Sequence, residues 1–351
     1  MSKSNALVDV SAQTALDTIW FTRCPVPTAS GLAYKLGWLD EEFAKDNIRV
    51  QTLQDRDSAA SGSTDVKRQF SHHHYDHDLP GLFREGGNLL AIAARAQGAP
   101  NRVIGLTWID EGQSLIVRPD SGIKSTADLK GKRIAVPVLV DNPVKLETRG
   151  RSIWRAMTLH GIKGALTHAG LTFDDVKLVE VPESFAFDAL NAGEADVVYV
   201  KGAAAFDKAK AAGLVVGVDL DSLPERRFRV NNGTPRPITV HEDLLESNFD
   251  LVVRFLYQSL RAAEWAKTHL DETLKVLQGE TSGSAEAVAH TYRNGFHLSL
   301  HPDLDQERIE LYRQQKDFLL LYGFLDRDFD FDQWIDPRPL EAAKKLLAET
   351  L

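Results

Sequence analysis

Apolar and polar positions along this chain follow two alternating periods. Residues 17–23 (DTIWFTR) make a compact apolar run and predict a first strand. Residues 27–47 carry Leu32, Leu36, Leu39 and Phe43 at helical spacing, with Thr28 or Ser30 placed to cap the start. Residues 48–54 alternate and predict a second strand, so the chain opens as a βαβ unit with a parallel sheet. Residues 56–70 are polar and turn-rich, a loop or a loosely started helix. Residues 79–98 contain a helix beginning after Gly87, and 101–109 are strand-like.

A second unit begins at residue 111. It reads as strand, loop, short helix (STADLKG) and strand (RIAVP), then a helix over about 151–169 and a strand over 175–182. A helix spans SFAFDALNAGEA, and strands follow at 196–202 and 213–220. Residues 235–248 read as a strand running into a capped turn, and 249–351 as mostly helical. The pattern therefore predicts an α/β protein of two lobes with a ligand cleft between them. One lobe is discontinuous, residues 1–110 plus 231–351, and the other spans 111–230. A hinge is expected near 110 and 230. In such sheets ligands sit at the carboxyl ends of the strands.

Composition narrows the partners. The length of 351 residues suits about two domains. The net charge of -9 gives no general pull toward nucleic acid or an anionic membrane, so an anionic ligand would need a local cationic pocket. The first twenty residues lack the apolar run of a secretory signal, and no stretch is apolar enough to span a membrane. A cytoplasmic location is expected, or a periplasmic one if a signal has been cleaved.

The single cysteine, Cys24, rules out an internal disulfide. It follows a strand end, neighbours Arg23, and precedes a helix start, whose positive end favours a thiolate. It also suits a small core position, and the residues alone leave both readings open. Four of the eleven histidines lie in SHHHYDHD, residues 71–78. His73 and His77, four apart, could share a helix face as metal ligands, but no HExxH pattern or second cysteine accompanies them. The other readings are a solvated loop and an acid/base partner for Cys24. In LFREGGN, Gly86 and Gly87 ahead of a helix offer backbone N–H groups to an anion, and Arg84 can fork two hydrogen bonds to an oxyanion. Arg149, Arg151 and Arg155 form either a surface cluster or an anion-attracting patch. Trp20, Trp38 and Trp334 read as packing residues.

The layout resembles the sulfonate/nitrate/taurine type of periplasmic solute-binding protein. The resemblance rests on GLAYKLGWLDEEF with IRVQTL, IKSTADLKGKRIAVP, AGLTFDDVKLVEV, ALNAGEADVVYV and VVRFLYQSLRAAEWAKTH, and covers most of the chain. It implies a type II periplasmic-binding-protein-like fold. Within that superfamily, CPVP at Cys24, HHHYD, REGG and DQWIDPRPL resemble the 2'-hydroxybiphenyl-2-sulfinate desulfinase branch. That resemblance implies Cys24, His72 and Arg84 as catalytic residues, Arg84, Gly86 and Gly87 as substrate-binding residues, and neither metal nor cofactor. The interval from His72 to Arg84 is longer than in that branch, and residues 137–155 have no counterpart.

The activity so implied is cleavage of the carbon–sulfur bond of an aromatic sulfinate with release of sulfite. The partner would be a small anionic sulfinate or sulfonate. Two alternatives stand beside it. One is a sulfonate-binding protein that serves an ABC permease. The other is a pyrimidine-precursor synthesis relative with a histidine-rich iron site.

Overall fold

The structure, a computed structural model, describes residues 16–24, 27–53, 73–77, 79–138, 153–231, 233–281, 283–293 and 295–350. Among the described residues, ten strands form two five-stranded sheets. They are β1 Thr18–Arg23, β2 Arg49–Thr52, β3 Leu82–Glu85, β4 Asn101–Thr107, β5 Gln113–Val117, β6 Arg133–Pro137, β7 Lys177–Val181, β8 Val197–Lys201, β9 Val215–Asp219 and β10 Arg236–His241. The first sheet runs β2-β1-β3-β10-β4 and the second β7-β6-β8-β5-β9. In each, three parallel strands are followed by one antiparallel strand that arrives from the other sheet. β5 enters the second sheet as the chain leaves β4. β10 re-enters the first after β9. The result is the two-lobed α/β arrangement that the hydrophobic pattern predicts. Two crossings, 108–112 and 220–235, join the lobes.

The predicted helix over 27–47 is two helices, Ala29–Lys35 and Trp38–Ala44. Gly37 separates them at φ +79°, a conformation that glycine adopts without penalty. Thr28 is the cap, accepting from the Gly31 amide at 3.0 Å. Ser30 instead donates to Glu85. The polar stretch 56–70 lies outside the described residues.

The pattern of residues 79–98 predicts only a helix there, yet β3 precedes it. It has four residues, and all four are buried, Arg84 and Glu85 included. Buried on both faces and half charged, it shows neither alternation nor an apolar run. Its Phe83 ring stacks on Phe255 at 4.0 Å, which fixes β3 beneath the helix Phe249–Ala266. The same helix packs against Ala29–Lys35 and Arg338–Thr350. Among the described residues, no helix is long and apolar enough to cross a membrane.

Candidate active site

The site begins with the register of β1 and β3. The strands are parallel, with Thr22 opposite Arg84 and Arg23 opposite Glu85. Side chains alternate across a strand, so Thr22 and Arg84 share one face and Arg23 and Glu85 the other. The contacts agree. Arg23 points to the helical side and pairs with Glu280 at 2.8 Å. Its charge is thus committed away from Cys24. Glu85 takes hydrogen bonds from the hydroxyls of Ser30 and, at 3.0 Å, Thr107, and burial pushes its carboxyl up.

Cys24 continues β1, donating its amide to the Glu85 carbonyl at 3.0 Å. The residue is partly exposed, and its Sγ accepts the Gly87 N–H at 3.2 Å. Gly87 caps the helix Asn88–Ala96, so the sulfur lies at the positive end of that helix. An N–H donor and a helix N-terminus both stabilise negative charge on sulfur.

Arg84 is 0% exposed. Its Nε donates to the His74 carbonyl at 2.8 Å and its Nη2 to the Gly87 carbonyl at 3.2 Å. The sequence suggests a fork onto a ligand oxyanion. Here Arg84 extends two of its donors to the protein's own backbone and locks the glycine turn. Gly86 makes room for it. A Cβ there would lie 2.9 Å from the guanidinium carbon. The Gly86 amide is also spent, donating to the Pro237 carbonyl at 3.3 Å, so of the two glycines Gly87 alone turns its N–H to Cys24.

His72 lies outside the described residues. Among the described histidines, His74 is the one that meets Arg84. Its Nδ1 contacts the Thr22 hydroxyl at 2.9 Å and its Nε2 faces Arg84 Nη2 at 3.4 Å. A neutral ring with its proton on Nδ1 satisfies both contacts. Burial, joined by the Arg84 charge, holds the imidazole well below its usual pKa. His77 engages both ring nitrogens: Nε2 with the His74 carbonyl at 3.1 Å, and Nδ1 with the Asn101 amide at 3.1 Å. Asn101 in turn accepts the indole N–H of Trp334 at 2.8 Å. The DQWIDPRPL tail thus acts on the site through Trp334, Asn101 and His77, a relay the sequence does not show. Among the described residues, no cluster of three His, Cys, Asp or Glu side chains is arranged to hold a metal.

Arg149 and Arg151 lie outside the described residues. Arg155 ties β6 to β7, reaching the Pro137 carbonyl at 2.7 Å and Glu180 at 2.9 Å. It is a structural clasp between strands, and its charge already has a carboxylate partner. Trp334 is fully buried, while Trp20 and Trp38 are partly so. On the second lobe a cavity of about 720 Å³ opens between β6, β8 and the helices Ile153–His168 and Ala203–Ala211. Trp154, Met157, Phe187 and Tyr199 form apolar walls, Lys201 and Lys208 add positive charge and Glu183 a carboxylate.

The chain is 27% identical to the 2'-hydroxybiphenyl-2-sulfinate desulfinase of Rhodococcus erythropolis, with 92% of each protein covered. It is 23% identical to a putative aliphatic sulfonates-binding protein of Bacillus subtilis (strain 168), over 87% of this chain and 81% of that one. The fold matches the crystal structure of a cysteine-to-serine mutant of the enzyme DSZB in complex with biphenyl-2-sulfinic acid. That match has a TM-score of 0.72 at 24% identity, with 94% of this chain and 99% of that one covered. Residues 85–273, from the end of β3 through both crossings between the lobes, match the NMT1/THI5-like family, and the chain belongs to it.

Proposed function

We propose that this protein is a cofactor-free desulfinase that cleaves the carbon–sulfur bond of an aromatic sulfinate and releases sulfite. The observation that carries the reading is the Cys24 sulfur held at 3.2 Å from the Gly87 N–H, on a turn that buried Arg84 locks from behind. A sulfur built into a merely structural position has no need of a charged clamp. The similarity to a sulfinate desulfinase over most of both chains supports the same chemistry.

In the proposed reaction the sulfinate enters beside Gly87, drawn by the Arg84 charge and the helix N-terminus. The Cys24 thiolate attacks sulfur, an S–S bond forms and the C–S bond breaks. The ring carbon takes a proton and leaves as the arene. Water then attacks the sulfonyl group of the Cys24 adduct, giving sulfite and the thiol. A second route has the Cys24 thiol protonate the ring carbon while sulfur dioxide departs and is hydrated to sulfite, its proton returning to sulfur. His74, neutral and bonded to Thr22, holds the Arg84 side of the site. His72, adjacent in sequence to this turn, is the candidate for proton movement. The ring of the substrate occupies the apolar cavity of the second lobe.

Sulfite release from a panel of aryl and alkyl sulfinates tests the proposal, wild type against Cys24→Ser. Turnover in the wild type and a fall of roughly a thousandfold or more in the variant is the expected result. Full turnover by Cys24→Ser would overturn both routes. The relative among sulfonate-binding proteins supports a second reading, a binding protein for a sulfonate. Tight sulfonate binding with no sulfite from any member of the panel would favour it.

A further inference from the structure

One group of buried charges takes no part in the chemistry above. Glu111 lies on the first crossing between the lobes. Lys201, at the end of β8, donates to one of its carboxylate oxygens, and Arg236 Nη2, at the start of β10, lies 3.7 Å from the same oxygen. The Tyr292 hydroxyl reaches the other oxygen at 3.4 Å. Gly233 presses onto the group. A Cβ there would lie 2.5 Å from Lys201 Nζ and 2.8 Å from Arg236 Nη2, so the two cationic tips flank one point.

Lys201 and Arg236 both face Glu111. Arg236 is 1% exposed, yet its Nε and Nη1 carry no hydrogen bond. Glu85 also lies within electrostatic reach of Arg236, yet it leaves both of those donors open. A buried guanidinium with open donors is unfavourable unless an acceptor meets it.

The group is also placed to meet a ligand. Lys201, with 11% of its side chain exposed, lines the cavity of about 720 Å³. Tyr292, on the other side of Glu111, is close enough to Cys24 to feel its charge. Lys201 thus joins the cavity wall to Glu111, and Tyr292 joins Glu111 to the neighbourhood of Cys24.

We infer that Lys201 and Arg236 form a second oxyanion-recognising position, so that the ligand is bifunctional: an aryl sulfinate with a carboxylate on its ring. The inference rests on the desulfinase reading only for the end of the ligand at Cys24. A dianion would bridge the lobes, one group at the Gly87 turn and the other at Lys201.

Sulfonates mimic the sulfinate end without turnover, so binding of benzenesulfonate, 3-sulfobenzoate and 4-sulfobenzoate to the full chain tests the inference. One of the two carboxylated ligands is expected to bind about ten- to a hundredfold more tightly than benzenesulfonate. In Lys201→Met that ratio should fall to about one. The variant leaves Arg236 and Glu111 as a matched pair, so folding is expected to survive. If it does not fold, the wild-type ratio still decides. Equal affinities in the wild type, or a preference undiminished in Lys201→Met, would overturn the inference. Sulfite release is measured in parallel from benzenesulfinate and from 3- and 4-sulfinobenzoate. Turnover with no preference for the carboxylated ligands sinks the second site and leaves the desulfinase. Preference without sulfite does the reverse.

Discussion

The guanidinium of Arg84 lies flat against Gly86, so close that a Cβ on the glycine would sit 2.9 Å from its central carbon. The guanidinium cannot retreat, because Nε and Nη2 are tied to the His74 and Gly87 carbonyls. Gly86→Ala should therefore push the clamp and the Gly87 amide away from Cys24. Displacements of that size cost roughly a hundredfold in turnover, and overpacking costs about 1–3 kcal/mol of stability. Sulfite-release kinetics and thermal melting check the two effects separately. A variant with native turnover would mean that the turn does not need Arg84 where it stands.

Asn101 links two buried groups far apart in sequence, the Trp334 indole and the His77 imidazole. Asn101→Ala strips both of their partners. Each orphaned group costs about 1–3 kcal/mol, so a loss of about 2–6 kcal/mol is expected by chemical denaturation. Activity should fall as well in the folded fraction, because His77 holds the same His74 carbonyl that anchors Arg84. Trp334→Phe leaves His77 paired and should lower stability with less effect on turnover.

His160 is buried between the helices Ile153–His168 and Gln306–Leu321. It is bonded to Gln315 at 2.6 Å and stacked on Phe318 at 4.2 Å. Burial brings its pKa down to about 4. The folded state thus binds fewer protons than the unfolded chain between pH 4 and 6.5. Stability is full above pH 6.5 and is lost as pH falls through that window, by on the order of 3 kcal/mol at its lower end. His74 and His77, also pushed down, add loss of the same sign below their ordinary pKa. His160→Asn removes one titrating ring. Its melting temperature should fall less than that of the wild type between pH 7 and 5.

The hydrophobic pattern made most of this fold legible, because nearly every strand is an apolar run between turn residues. It hid β3, where the buried side chains include an arginine and a glutamate. It hid the break at Gly37, since Leu36 and Leu39 keep helical spacing across it. At the site, Cys24, Arg84 and Gly87 stood out because each sits in a short local motif. The Glu111–Lys201 contact joins residues 90 positions apart, and Asn101–Trp334 joins residues 233 apart. No local pattern encodes such pairs, since only the two crossings and the C-terminal helices bring them together. The histidine run shows the limit in miniature. Its residues are alike in sequence, yet in the fold His74 meets Arg84 while His77, at φ +58°, meets Asn101.

Asp221 gives the opposite pH dependence to the histidines. It is buried after β9, near Asp110 and Asp219, with Arg229 and Arg293 only partly offsetting them, and its carboxyl is pushed up to about 7. Burial is the main cause and the two like charges add to it. Between its ordinary value of 3.8 and about 7 the folded state holds a proton that the unfolded chain has lost. The stability this group contributes at acid pH therefore drains away as pH rises through that window. Above it the native state carries an ionised carboxylate where burial disfavours charge. Asp221→Asn removes that burden. The variant should be more stable than the wild type at pH 8, by on the order of 4 kcal/mol, and about equal to it near pH 4. Urea unfolding at the two pH values checks this. A gain that did not depend on pH would mean that the amide stabilises by packing or hydrogen bonding, and that Asp221 is ionised in the folded protein at both.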